Sequence, residues 1–178
     1  DQFLMVATAS LAAATTGFAI FNFPRARLFA GDGGAYLLGS AISLFAILLC
    51  HRHVDVSPWF VFALVLYPFA DTTAAIVRRL ATGRPIMAPD ADHLHTLLAQ
   101  RLVQRFGRVG RNLASAVIVC VSGVTAVLAV ALHRDTAAMM MLCGFLAVAF
   151  AVAYLAIRPR APAAAAADDI AAEPAKSK

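Results

Sequence analysis

The sequence predicts an all-α protein, a polytopic membrane bundle of about five transmembrane helices with one cytosolic amphipathic helix, and three observations carry that reading. Hydrophobic residues make up 61% of the 178 and charged residues only 14%, with a mean hydropathy of +0.77, well above the apolar share of ordinary soluble domains. The apolar residues fall in continuous runs of about 20, the length that crosses a bilayer as helix. Such runs are too long and too unbroken for barrel strands, so helices must satisfy their backbones. Thirteen of the fifteen basic residues lie in segments 25–27, 78–111 and 158–178, and only Arg52 and Arg134 lie in the loops between. By the positive-inside rule the first set of segments is cytosolic.

The first span, residues 3–21, carries no charge. The chain opens on Asp1 directly into it, without the basic start of a signal peptide and with an apolar run too long for one. This opening reads as the continuation of a longer protein. A glycine-rich, charged turn, Asn22-Phe23-Pro24-Arg25-Ala26-Arg27-Leu28-Phe29-Ala30-Gly31-Asp32-Gly33-Gly34, leads into the second span, 33–50. After His51-Arg52-His53 comes the third span, 57–77, interrupted only by Asp71. Residues 78–112 form a cytosolic loop whose Gly83, Pro85 and Pro89 argue for order, with Asp90 or Asp92 placed to cap a helix starting near His93. There Leu94, Leu97, Leu98 and Leu102 make an apolar stripe and Arg101, Arg105 and Arg108 a basic one, the pattern of an amphipathic helix lying at the membrane surface. Spans 113–132 and 137–157 follow. The membrane domain is thus 1–157, and the Pro- and Ala-rich tail 158–178, with no apolar pattern, is expected to be a disordered cytosolic end.

Cys50, Cys120 and Cys143 all fall inside spans, without CxxC or CxH spacing, and are expected to act as small buried hydrophobes rather than disulfide or zinc partners. The net charge of +5 fits topology and attraction to anionic lipid or phosphorylated substrate. No basic-aromatic patch suggests nucleic acid.

Chemistry concentrates on the cytosolic side. Asp32, flanked by glycines, opens the second span, where free N–H groups and the helix dipole favour phosphate and where a carboxylate can meet a metal ion; a plain helix-capping role is the alternative. Arg25 and Arg27 stand ready to balance anionic charge. Asp71 lies seven residues before Arg78, roughly 10 Å below the cytosolic boundary at helical rise. An ionised carboxylate at that depth needs a cavity, a cation or a partner helix. His93 and His95 would point about 200° apart on a regular helix, converging only at a frayed first turn or in the loop. His51 and His53 share their spacing but fall in an extracytoplasmic loop, which demotes them together with His133.

The order Asn22-Phe23-Pro24-x-Ala26-Arg27-x-Phe29-x-Gly31-Asp32-x-Gly34, then Pro68-x-x-Asp71-Thr72, then Arg78-Arg79-x-x-x-Gly83-Arg84 with Pro89-Asp90 and His93-Leu94-His95, resembles the C-terminal half of the polyprenyl-phosphate N-acetylhexosamine-1-phosphate transferases. These are the family 4 glycosyltransferases, and the undecaprenyl-phosphate GlcNAc-1-phosphate transferases are the nearest type. The resemblance covers about residues 15–100. It implies transfer of a sugar phosphate from a UDP-sugar to undecaprenyl or another polyprenyl phosphate, with release of UMP, at the cytosolic face of a bacterial inner membrane, for cell-envelope polysaccharide. It also implies Mg2+, with Mn2+ as a substitute. Asp32 would be the catalytic or metal carboxylate, His93 and His95 part of the motif that binds the nucleotide-sugar diphosphate, and Arg27 a phosphate ligand by charge and position.

Thr96 stands where family members commonly have a further histidine. The family's paired-aspartate motif and its Asn-rich Asp-Gly motif belong to earlier spans and are not among these residues. The sequence is therefore expected to hold part of an active site and to be inactive without the missing spans, supplied by the same or another chain. Against the enzyme stands a non-catalytic membrane remnant or partner-binding subunit; an ion-coupled transporter built on Asp71 is weaker, with no second ionisable residue in the spans.

Overall fold

A computed structural model describes residues 1–23, 27–83, 85 and 92–158. The described residues form six helices and no strand: α1 (Gln2–Asn22), α2 (Gly31–Arg52), α3 (Pro58–Ala81), α4 (Leu94–Phe106), α5 (Val109–Leu132) and α6 (Thr136–Ile157). All but α4 are long and apolar enough to cross a membrane, and the chain is a multi-pass membrane protein. The helices outrun the apolar runs that mark them. Arg78 and Arg79 extend α3 to Ala81, and Arg111 lies within α5, because arginine is a good helix former whose long side chain reaches the interface from inside a helix. Arg25, Arg84, Pro89, Asp90 and nearly all of the tail lie outside the described residues.

The starts of the helices are set by side chains that accept from otherwise orphaned backbone N–H groups. Asp1 accepts from Phe3 and Leu4, Ser57 from Trp59 with Pro58 in the first turn, and Asp135 from Ala138. The core is a three-helix bundle of α3, α5 and α6. Its best-buried residues are Ala63, Leu66, Ala129, Met139 and Cys143, with Phe60, Phe62 and Leu146 packed around them. Of the cysteines only Cys143 is buried; Cys120 is exposed on the outside of α5 and Cys50 is half-buried, so the expectation of three buried thiols holds for one.

Cross-contacts define the two ends of the bundle. At one end the N–H of Ser57 donates to the carbonyl of His133 over 2.8 Å, and Arg134 pairs with Asp55 at 3.0 Å. Arg52, in the last turn of α2, pairs with Asp1 at 2.7 Å, so α1 and α2 form an antiparallel hairpin with that end of α2 five residues from Ser57. At the other end Arg78 hydrogen-bonds the Tyr154 hydroxyl and lies over its ring. Since α2 is 22 residues long, about 33 Å at helical rise, Gly31 and Asp32 belong to this second end. His93 and His95 share it, and His51, His53 and His133 lie at the opposite one.

The apolar stripe of α4 buries against protein. Leu94 and Leu97 are buried, and the helix folds back on α5 and α6, while Arg101, Arg105 and Arg108 stay exposed. The amphipathic helix expected at the membrane surface is thus present, and it is docked across the bundle end with its apolar stripe against protein. Gly107, at φ 60° and ψ −143°, makes the turn into α5, a conformation that residues with a Cβ seldom adopt.

Candidate active site

Asp71 sits on α3 nearly three turns before the end of the helix, and is 7% exposed. Its carboxylate meets the start of α4. Oδ1 accepts from the backbone N–H of Leu94 at 2.9 Å, and Oδ2 lies 3.0 Å from Nδ1 of His93 and 3.7 Å from Nδ1 of His95. The carboxylate therefore caps α4 from another helix. The N-cap residue His93 makes no side-chain cap bond of its own; of the two aspartates expected for that task, Asp92 lies 4.0 Å from Nε of Arg78 and Asp90 lies outside the described residues. A cap supplied across the fold satisfies the same orphan donors and also gives the buried carboxylate its partner.

The histidines converge because His93 stands before the helix. Its backbone is extended, with φ −69° and ψ 146°, so the helical divergence of positions two apart does not apply to it. The rings stack with centroids 5.6 Å apart and planes 15° from parallel. Both Nδ1 atoms face one oxygen of Asp71, which places the two imidazoles side by side, partly open to solvent.

Asp32 lies in the first turn of α2, exposed, and the start of that helix has no side-chain cap bond. The capping alternative is thus not realised, and the carboxylate is unengaged by the described residues. Arg27 is also exposed, in a turn where the N–H of Leu28 donates to Oδ1 of Asn22 at 3.0 Å. Asp32 and Arg27 share the bundle end with the histidines by the path of the helices. Among the described residues, no hydrogen bond or ion pair links them to Asp71, His93 or His95, and no group of three or more His, Cys, Asp or Glu is arranged to hold a metal ion.

Two features escaped sequence reasoning. Tyr67, one turn before Asp71, has a buried hydroxyl with no hydrogen-bond partner among the described residues; its i, i+4 spacing to Asp71 was the available signal. Below the first turn of α4 lies an apolar cavity of about 350 Å³ lined by Tyr67, Leu94, Leu98, Thr125 and Phe150 among others. A wider gap of about 510 Å³ separates the α1–α2 hairpin from α3, between Leu11, Phe45 and Leu64.

The family model described as Glycosyl transferase family 4 matches residues 1–50. The chain is 39% identical over 84 residues to a probable undecaprenyl-phosphate N-acetylglucosaminyl 1-phosphate transferase of Bacillus subtilis, a match covering 47% of this chain and 24% of that protein. It is 37% identical over 110 residues to a decaprenyl-phosphate N-acetylglucosaminephosphotransferase of Mycolicibacterium smegmatis, with 51% and 25% covered. An undecaprenyl-phosphate alpha-N-acetylglucosaminyl 1-phosphate transferase of Thermotoga maritima is 28% identical over 99 residues, with 56% and 33% covered. The chain thus spans about a quarter to a third of the length of these relatives. No solved structure matches it. The family 4 match is confined to the first 50 residues, and the relatives that the chain resembles are named as undecaprenyl- or decaprenyl-phosphate N-acetylglucosamine-1-phosphate transferases.

Proposed function

We propose that the complete protein to which this sequence contributes transfers an N-acetylhexosamine-1-phosphate from a UDP-sugar to undecaprenyl or another polyprenyl phosphate, releasing UMP at the cytosolic face of a bacterial inner membrane. One observation supports this above the others. A stacked histidine pair, held by a buried carboxylate, lies at the same bundle end as an exposed, unengaged aspartate at a helix start.

In the reaction an oxygen of the lipid phosphate forms a bond to the sugar-bearing phosphorus of the UDP-sugar as the bond to UMP breaks. Two anions must therefore approach, and donors that offset their repulsion are the main need. Arg27 offers a guanidinium suited to phosphate. His93 and His95 offer ring nitrogens to the diphosphate. The apolar spans keep the lipid acceptor at the same interface.

Mg2+, or Mn2+ in its place, would fit Asp32 in one respect: hard cations take carboxylate oxygens, and this carboxylate has no partner among the described residues. A lone carboxylate is not a complete site. The remaining ligands would come from substrate phosphates, water and carboxylates of spans outside this sequence. Such an ion, when bound, neutralises charge on the reacting phosphates.

The test is UMP release by the complete protein in lipid with Mg2+ and a UDP-N-acetylhexosamine. Release that requires added polyprenyl phosphate supports the reading. A folded protein that binds neither substrate and releases no UMP with any UDP-N-acetylhexosamine would instead be the non-catalytic membrane subunit.

A further inference from the structure

We propose that Asp71 is a positioning residue that keeps a proton on Nδ1 of His93, so that Nε2 is the atom His93 presents to substrate. The inference rests on the transferase reading for its kinetic consequence, but not for its structural one.

Both oxygens of Asp71 are committed inward. Oδ1 takes the Leu94 N–H at 2.9 Å and Oδ2 faces His93 Nδ1 at 3.0 Å. The first N–H groups of a helix suit an anionic carboxylate, and an anionic carboxylate only accepts. The hydrogen bond to His93 therefore requires the proton on Nδ1. His95 Nδ1, 3.7 Å from the same oxygen, is within ion-pair reach but beyond a hydrogen bond; its ring is aligned through the stack on His93. With Nδ1 edges turned to Asp71, the opposite edges face away from α3. Asp71 itself, buried and with both oxygens engaged, is badly placed to ligate a metal, whereas Asp32 is exposed. The two carboxylates at this end have separate tasks: Asp32 for charge on the substrate side, Asp71 for the orientation and proton placement of the histidine.

Asp71→Asn separates these roles. The amide retains a carbonyl oxygen for the Leu94 N–H, and its NH2 group turns toward His93, where it can only donate. Nδ1 must then accept, and the proton moves to Nε2. A mis-set tautomer with preserved geometry can cost orders of magnitude in turnover.

The experiment uses histidine labelled with 15N in the 178-residue chain in lipid nanodiscs, with the His93 signal assigned by its loss in His93→Gln. A proton on Nδ1 of His93 in the unaltered chain, moving to Nε2 in Asp71→Asn, is the expected result. An unprotonated Nδ1 in the unaltered chain overturns the proposal without any variant at position 71. In the complete protein, Asp71→Asn should lower kcat/KM for the UDP-sugar by about 10- to 100-fold, no more than His93→Ala does, with the half-maximal Mg2+ concentration unchanged and activity partly restored by Asp71→Glu. A rise in the Mg2+ requirement with the His93 tautomer unchanged would make Asp71 a metal ligand and overturn the proposal. If the unaltered complete protein has no transferase activity, the functional reading fails while the NMR result still decides the role of Asp71.

Discussion

Gly110 lies directly on the backbone of Leu102: a Cβ at position 110 would stand 2.2 Å from both the carbonyl carbon and the oxygen of Leu102. Backbone atoms cannot rotate aside as a side-chain end can. This contact, with the Gly107 turn, clamps α4 onto α5, and α4 begins at the histidine pair.

Gly110→Ala is therefore expected to push α4 away from α5. Overpacking costs typically about 1–3 kcal/mol, and a clash with backbone belongs at the upper end. Equilibrium unfolding of the purified chain followed by circular dichroism measures it. Gly123→Ala, where a Cβ meets open space, is the control and should not destabilise the protein.

Asp32→Asn should leave stability within about 0.5 kcal/mol of the parent, as expected for an exposed side chain without partners among the described residues. In the complete enzyme it should lower kcat by at least about 100-fold, since the amide removes the charge that a hard cation requires. Steady-state assays of UMP release at saturating Mg2+ check this, and near-normal turnover would strip Asp32 of its catalytic role.

His93→Ala and His95→Ala should weaken use of the sugar nucleotide. Hydrogen bonds to charged groups contribute about 1.5–3 kcal/mol, so kcat/KM for the UDP-sugar should fall about 10- to 100-fold. His51→Ala, at the opposite bundle end, should change it less than about 2-fold on the same scale. Equal losses at positions 51 and 93 would contradict the assignment of ends.

Sidedness has its own test. In a background with Cys50, Cys120 and Cys143 replaced by alanine, Val54→Cys should react with an impermeant thiol reagent applied to intact cells. Val54 is 93% exposed in the loop before α3. Thr82→Cys, at the other end of α3, should react only after the cells are opened.

The 178-residue chain purified alone with Mg2+, polyprenyl phosphate and a UDP-sugar should release no UMP. Among the described residues no group of three or more His, Cys, Asp or Glu could hold a cation, and Asp71 is occupied by α4. Activity of the isolated chain, abolished by Asp32→Asn, would show that a complete site lies within these residues.

The spans were legible because a run of twenty apolar residues has few other fates, and Arg78 and Arg111 blurred only their edges. The depth of Asp71 was legible for the same reason, by counting residues from Arg78. Its partner was not. A local cap is marked by a short polar residue just before a helix, so Asp90 and Asp92 drew the expectation; a cap arriving 23 residues away in sequence leaves no spacing rule to read. The histidines fell between these cases. Sequence stated the condition for their convergence, a position outside the regular helix, and the extended backbone at His93 meets it. For α4 the leucine stripe was plain, but a stripe cannot say whether lipid or protein covers it; the close approach allowed by Gly110 decides for protein.

The bond between Asp71 and Leu94 also bears on how the chain enters the bilayer. Synthesis delivers α3 before α4, so Asp71 reaches the translocon without the N–H that it later accepts. A charged aspartate at the centre of an inserting helix costs about 2.5–3.5 kcal/mol on insertion scales, and less nearer the interface. The 23 residues that separate it from Leu94 take roughly 1–5 s at ordinary elongation rates of about 5–20 residues per second. During that interval the apolar neighbours in α3 must hold the segment in the membrane unaided. Docking of α4 is then the late step of biogenesis that shelters the carboxylate from lipid, and the same step assembles the histidine pair.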